Sequence, residues 1–316
     1  MAPPPRTADS GPASPAPVRP SRAPAARVPA VRTAARRSRS RWLSPAAVNA
    51  ALVLAVLYTL FPLVWLVTAA TKDAGGLLAG DALSFEGFDL AGNLSRLAAE
   101  GDGIYFRWYA NSLLYAGAGA ALCALISVAA GYAFDKYTFP GKEHLFGVVL
   151  LGVLVPTTAL ALPLYLLASR TGVVNTYWSV LVPVLVNPFG VYLARVFSAG
   201  YIPDEALEAA RIDGAGELRV FWSIGLRMVA PGLVTVFLFQ FTAIWNNFFL
   251  PLVMLSDQRL FPVSLGLYAW NGNAHGEPSF YPLVVTGSLL AVLPLIIAFV
   301  SLQRHWKAGL TAGSVQ

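Results

Sequence analysis

The sequence predicts an all-α, polytopic membrane protein with six transmembrane helices, on three observations. Of its 316 residues, 56% are hydrophobic and 12% charged, against roughly 25% charged in an average soluble domain, and the mean hydropathy is +0.61. Six apolar stretches, at about 46–70, 109–134, 145–168, 177–197, 229–255 and 282–302, are each long enough to cross about 30 Å of hydrocarbon as a helix. Lys and Arg divide unevenly between the segments that join them. With the first terminus in the cytoplasm, seventeen fall on that side and five (Lys72, Arg96, Arg107, Arg170, Arg259) outside. The positive-inside rule thus puts both termini, the 135–144 loop and the 201–231 loop in the cytoplasm. The net charge of +6 is largely this asymmetry, not a nucleic-acid footprint.

Residues 1–41 are rich in Pro, Ala, Arg and Ser with Asp9 as the single acid, and such a segment cannot bury enough apolar surface to fold. It is expected to be a disordered, basic cytoplasmic tail drawn to anionic lipid, ahead of a six-helix domain over 42–316. Recurrent Pro argues against an amphipathic transit peptide, and the first apolar stretch is a full span, too long for the core of a signal peptide. The second span sets Ser112, Ala116, Ala120 and Ala124 four apart, a small-residue face for close helix packing. Pro156, Pro163, Pro183 and Pro188 interrupt the third and fourth spans. Either they permit the bending that alternating access needs or they are tolerated kinks. The lone Cys123 lies in a span, which leaves no intrachain disulfide and reads as packing.

The spans are nearly free of charge. Arg195, one turn from a cytoplasmic end, is the single ionised side chain within them and can snorkel, whereas ion-coupled carriers and intramembrane enzymes carry ionisable groups at depth. His144, His275 and His305 lie outside the spans, singly, with no Cys or carboxylate at metal-ligand spacing. No nucleophile-base-acid set can be assembled, so neither catalysis, nor a cofactor, nor a metal is expected. A P-loop fails twice, since Gly141-Lys142 is followed by Glu143 and Lys136 stands where the first Gly belongs. Energy for any transport would come from another chain.

The 201–231 loop is the place for that chain to act. Pro203 suits a first helical position, and Asp204, Glu205 and Glu208 put negative charge in the first turns, where the helix dipole favours it. Gly214 and Gly216 supply a break. Ala206, Ala209 and Ala210 form a smooth strip before it, and Leu218, Phe221 and Trp222 an apolar stripe after it. On physical grounds alone this is either a docking element of two short helices or an amphipathic pair lying on headgroups.

Glu208-Ala-Ala-Arg-Ile-Asp-Gly-Ala215, followed by Phe221-Trp-Ser-Ile224, resembles the EAA loop of permease subunits in binding-protein-dependent ABC importers. Asn111-Ser-Leu113, Tyr132-Ala-Phe134 with Phe139-Pro-Gly141, Asn175-Thr-Tyr177, Trp245-Asn-Asn-Phe248 and Gly309-Leu-Thr-Ala-Gly313 extend the likeness to maltose-type carbohydrate permeases over roughly residues 50–315. The resemblance implies the importer permease (MetI-like) fold in a bacterial cell membrane. It implies uptake of a sugar, oligosaccharide or polyol, with a second permease, a cytoplasmic ATPase dimer and an extracytoplasmic binding protein as partners. On this reading Glu205, Glu208, Ala209, Ala210, Asp213, Gly214, Ala215 and Phe221 form the ATPase-coupling loop. Glu208 supplies charge, Ala209 and Ala210 allow close approach, and Asp213 and Gly214 make the bend. Two departures stand out. Ile224-Gly-Leu-Arg227 replaces the family's Ile-x-Leu-Pro, which bears on where the chain re-enters the membrane, and Asn247 replaces a frequent acid.

A sugar path calls for amides, hydroxyls and aromatics at membrane depth. Asn187, Gln240, Thr242, Trp245, Asn246 and Asn247 are the candidates, and interhelical hydrogen bonding is the competing use of such residues. The 256–281 segment, with Tyr268, Trp270, Asn271, Asn273 and His275, and the 71–108 loop, with Asp73, Asp81, Glu86, Asp89, Glu100 and Asp102, face the side of a binding protein. Interfacial anchoring of the aromatics is the alternative. Two other functions fit less of the sequence. They are import of another solute, such as a glycerol phosphate diester, and an ATPase-docking scaffold without a path.

Overall fold

The computed structural model describes residues 45–80, 83–84 and 88–312. The 1–41 tail, Asp81, Glu86, Gly313 and the side chain of His305 lie outside the described residues. The chain divides into the units Met1–Val53 and Leu54–Gln316, the first described only in the opening of one helix. All regular structure among the described residues is helical: α1 Pro45–Ala69, α2 Ala74–Ala79, α3 Leu90–Ala99, α4 over 104–136, α5 Lys142–Val153, α6 Ala161–Arg170, α7 Tyr177–Val184, α8 Pro188–Tyr201, α9 Asp204–Ile212, α10 Glu217–Met228, α11 Ala230–Asn246, α12 Phe249–Met254, α13 Val263–Asn273 and α14 Phe280–Ala312.

Three helices are long and apolar enough to cross a membrane: Ala46–Ala69, Leu90–Lys136, which is kinked at 101–103, and Phe280–Gln303. The other three candidate crossings are bent pairs. Lys142–Val153 turns 96° into Thr157–Arg170, Tyr177–Val184 turns 40° into Pro188–Tyr201, and Glu217–Met228 turns 76° into Ala230–Asn246. Continuous helices at 145–168, 177–197 and 229–255 are therefore corrected to broken ones. Pro156 stands in the first break and Pro188 opens the helix after the second, as expected for residues that lack an N–H and clash with the preceding turn. The helix from 230 ends at Asn246, and α12 is a separate short helix.

Each break leaves backbone groups that hydrocarbon cannot satisfy. Asn187 accepts a hydrogen bond from the Gly190 amide at 3.0 Å, capping α8, and donates to Gln240 Oε1 at 2.9 Å. Gln240 donates in turn to the Val184 carbonyl, freed at the end of α7, at 2.9 Å. Asn247 accepts from the Leu250 amide, and its own carbonyl accepts from Ser264 at 3.1 Å.

The second span is the structural axis. Helix α4 packs along α8 and α11, and α11 packs on α14. Ser112, Ala116, Ala120 and Ala124 are all buried, the small-residue face the spacing predicts. The closest approach is at Gly131, where an added Cβ would stand 2.6 Å from both the Ala194 Cβ and the Arg195 amide nitrogen. Aromatic residues fill the end around Trp108, with Trp270 at 4.6 Å between ring centroids. The opposite end is closed by Val128, Tyr132, Ala194, Leu207, Val220 and Phe221.

Gly131→Leu should force α4 and α8 apart and destabilise the protein by about 2–3 kcal/mol. Gly147→Ala, where nothing lies within 4 Å of the new Cβ, should stay within about ±0.5 kcal/mol. Thermal unfolding in mild detergent reads both.

Candidate functional site

The 201–231 segment folds as two short helices set against the end of α4. Pro203 has the extended backbone of a helix entry, α9 begins at Asp204, and Asp204 and Glu205 occupy its first turn. Helix α9 stops where Gly214 takes a left-handed φ of +80°, a conformation any other side chain would strain. The Gly214 and Ala215 amides close back onto the Arg211 and Ala210 carbonyls at 3.0 Å each. Helix α10 then carries a π-turn over Phe221–Gly225, and Val229 ends it with the 76° turn into α11. Pro231 sits in the first turn of α11, where the missing N–H costs nothing. Re-entry is thus fixed by Val229 and Pro231.

This element has two faces. Leu207, Ala210, Val220 and Phe221 are buried against Tyr132, Ala194 and Val229, with the Phe221 ring 5.1 Å from Tyr132. Glu205, Glu208, Ala209, Asp213 and Gly214 are exposed, and Ala215 is half-buried. Ala210 and Phe221 therefore seat the element on its own chain, while Ala209 alone of the two central alanines is presented outward. Three large apolar side chains join the outer face: Ile212 at 86% exposure, Leu218 at 78% and Trp222 at 52%. The outer face thus interleaves acids with isolated large apolar groups.

Residues outside the motif fasten the element. Lys136 reaches Asp204 at 2.8 Å and Asp135 at 3.1 Å, and Ser198 donates to Asp135 at 2.8 Å. Tyr137 donates to Glu217 at 3.0 Å, and Arg211 grips the same carboxylate at 2.8 and 3.2 Å across the Gly214 turn. Arg195 pairs with Glu143 at 2.9 Å and lies 4.1 Å over the Phe146 ring. The motif alone did not expose this clasp. Its one local signal is the Arg211–Glu217 pair flanking the glycine turn, since Asp135, Lys136 and Tyr137 are more than sixty positions away.

The clasp sets its own charge states. The hydrogen bond from Lys136 holds the Asp204 carboxyl below the usual carboxylate range, and that from Arg211 does the same for Glu217. Burial pulls the Lys136 ammonium down, but its hydrogen bonds to Asp204 and Asp135 outweigh that and leave the group raised. Burial, then the bond to Glu217, pushes Tyr137 up to about 12.

The path candidates separate. Asn187 and Gln240 are paired with each other, as above. Trp245 is buried, stacks on Phe241 at 5.8 Å and donates to the Ala291 carbonyl at 3.1 Å. Asn247 is half-buried in the α11–α12 break. Thr242 and Asn246 are exposed one turn apart, bonded only within α11, to the Leu238 and Thr242 carbonyls. The structure thus brings Asn187 and Gln240 together, leaves Thr242 and Asn246 on an open face, and buries Trp245. In the 71–108 region Asp73 and Asp89 cap α2 and α3, and Asp89 also pairs with Arg96.

Residues 125–311 match the family described as binding-protein-dependent transport system inner membrane component. The arabinooligosaccharides transport system permease protein AraQ of Halalkalibacterium halodurans is 34% identical over 258 residues, covering 81% of this chain and 91% of that protein. The maltodextrin transport system permease protein MdxG of Bacillus subtilis is 32% identical over 280 residues, 88% of this chain and 98% of that protein. A chain from the crystal structure of a bacterial ABC transporter involved in import of the acidic polysaccharide alginate superposes with a TM-score of 0.71 at 21% identity, covering 81% of this chain and 94% of its own.

Asp204 and Glu217, with lowered pKa values, stabilise the clasp above their unfolded values of about 4 and lose that contribution as pH falls through the lower folded values. Lys136, with a raised pKa, contributes below about 10.4 and loses it as pH rises through the folded value. Amide protection of residues 205–217, normalised to intrinsic exchange, should therefore be flat from about pH 5 to 9 and fall in acid. Lys136→Met should lower that plateau and weaken the acid transition.

Proposed function

This chain belongs to the family of inner membrane components of binding-protein-dependent transport systems, and on that premise we propose that it is one membrane-spanning permease subunit of an ATP-driven importer. Its cargo is a sugar, oligosaccharide or related polyol handed over by an extracytoplasmic binding protein. The chain performs no chemistry of its own. A cytoplasmic ATPase dimer supplies the energy, a second related permease completes the passage, and both termini of this chain face the cytoplasm.

The observation that carries this reading is the two-faced 204–228 element. Glu205, Glu208, Ala209, Asp213 and Gly214 face outward while Leu207, Ala210, Val220 and Phe221 anchor the element to the spans. Closure of an ATPase cleft around the outer face would be passed directly to α4 and α8 through the buried one. Glu205 and Glu208 are exposed and form no ion pair with any described residue, which leaves their charge available to basic groups of the ATPase. Ala209 lets the partner backbone approach, and Gly214 with Asp213 sets the angle between the helices.

For passage, Thr242 and Asn246 serve as hydroxyl and amide contacts to the moving solute. Trp245 and Asn247 support them, and the Asn187–Gln240 pair holds the two bent spans in register. Sugar cargo is the reading that the relatives' names favour, and the absence of Lys or Arg at depth in the spans accords with a neutral solute.

Glu208→Lys and Gly214→Leu should lower uptake by on the order of ten-fold or more, the scale of a lost hydrogen bond to a charged group, with membrane abundance unchanged. Normal uptake in both variants would remove the docking role. Affinity purification in mild detergent from the native host should recover an ATPase, a second permease and a binding protein. That binding protein can then be titrated with arabinooligosaccharides and maltodextrins. Thr242→Val with Asn246→Leu should raise the half-saturating solute concentration for transport by roughly ten-fold, about 1.4 kcal/mol, and leave ATPase recovery intact.

A further inference from the structure

Helix α4 is held at both ends. At the end remote from the coupling element, side chains spaced one turn apart on one face seize the backbone of 258–263. Trp108 Nε1 donates to the Gln258 carbonyl at 2.7 Å, and Asn111 Nδ2 to those of Arg259 and Phe261 at 2.9 and 3.0 Å. The Tyr115 hydroxyl donates to the Leu260 carbonyl at 3.0 Å, and Ser112 accepts from the Val263 amide at 2.7 Å. Four consecutive carbonyls and one amide of a short 3-10 turn and its exit are thus answered by α4, with Asn111 taking two of them and Arg107 sharing the Arg259 carbonyl at 3.1 Å. At the other end, some 35–40 Å away at 1.5 Å per residue, the same helix holds the coupling element through Tyr132 on Phe221 and Lys136 on Asp204.

We propose that Asn111 is a positioning residue for energy coupling: by locking 258–263 to α4, it makes that segment move with the coupling element when nucleotide closes the ATPase. The inference rests on the importer reading. A long helix clamped near both ends transmits displacement because its backbone hydrogen bonds run on through the π-turn at Leu114–Ala118 and do not compress, whereas an unclamped end slides past the segment. Helix α3 packs beside this end through Leu97 but gives no hydrogen bond to the 258–263 segment. Gly101, Asp102 and Gly103 all take left-handed φ values, of 54°, 56° and 77°, and break the helix between α3 and α4. Asn93, buried on α3 and donating to the Ala70 and Lys72 carbonyls at 2.8 and 2.9 Å, is therefore a matched control of the same residue type.

Because linkage is reciprocal, ATP is a sufficient probe and the cargo need not be known. Hydrogen exchange of residues 256–263 would be measured in the complex purified with its ATPase, with and without a non-hydrolysable ATP analogue. In the native complex the analogue should change exchange there by about five-fold or more, the scale of one net hydrogen bond. Asn111→Leu should abolish that nucleotide-dependent difference and preserve the one at 204–217. Asn93→Leu should preserve both. Should Asn111→Leu fail to assemble, Ser112→Ala and Trp108→Phe, each removing one rung, should reduce the difference in part. A difference that survives Asn111→Leu, is undiminished in both rung variants, or is equally lost in Asn93→Leu overturns the proposal. Recovery of no ATPase overturns the importer reading instead.

Discussion

The close approach of α4 and α8 is the contact on which the rest depends. Gly131 admits Ala194 and the Arg195 backbone at a distance no other residue would allow, and only that proximity brings Asp135 within reach of Ser198 and Lys136 within reach of Asp204. Widening the gap by one methyl would separate the anchoring cluster of Tyr132, Ala194, Val220 and Phe221. In a bilayer no hydrophobic force compensates for lost interhelical fit, since lipid tails are as apolar as the helices themselves. Small side chains at this crossing therefore carry what a large apolar core carries in a soluble protein.

A second constraint is the backbone at the helix breaks. Three of six crossings are bent, and hydrocarbon offers no water to the groups released there. The chain answers with amides: Asn187 and Gln240 at one break, Asn247 at another, Asn111 along the 258–263 segment. An amide can donate and accept at once without introducing a charge. Most of the conspicuous polar residues at membrane depth are explained by this demand before any solute is considered, which leaves the exposed Thr242 and Asn246 as those with a face to spare.

Much of this organisation was legible in the sequence, for local reasons. Hydropathy marked the crossings, the four-residue spacing of Ser112 to Ala124 marked the packed face of α4, and the EAA pattern with Gly214 and Pro231 marked a pair of short helices and their exit. What was not legible is non-local. That Asn187 faces Gln240, that Asn111 meets the carbonyls of Arg259 and Phe261, and that Lys136 and Tyr137 clasp Asp204 and Glu217 all depend on distances set by the packing of α4. The division of the alanine strip, with Ala210 inward and Ala209 outward, likewise follows from how α9 is seated. Helix breaks were half-legible: those at Pro156 and Pro188 could be anticipated, whereas the end of α11 at Asn246 was not, although Pro251, which has no N–H to offer the Asn247 carbonyl one turn back, is its signal in the sequence.

The outer face of the 204–228 element bears on how the subunit is made. Ile212, Leu218 and Trp222 are large apolar groups left facing water by any copy that has not met its partner. A subunit held alone in detergent therefore carries an apolar patch that favours self-association. Under the docking proposed above, covering that patch makes the assembled subunit the better-behaved form, so that yield and assembly rise together.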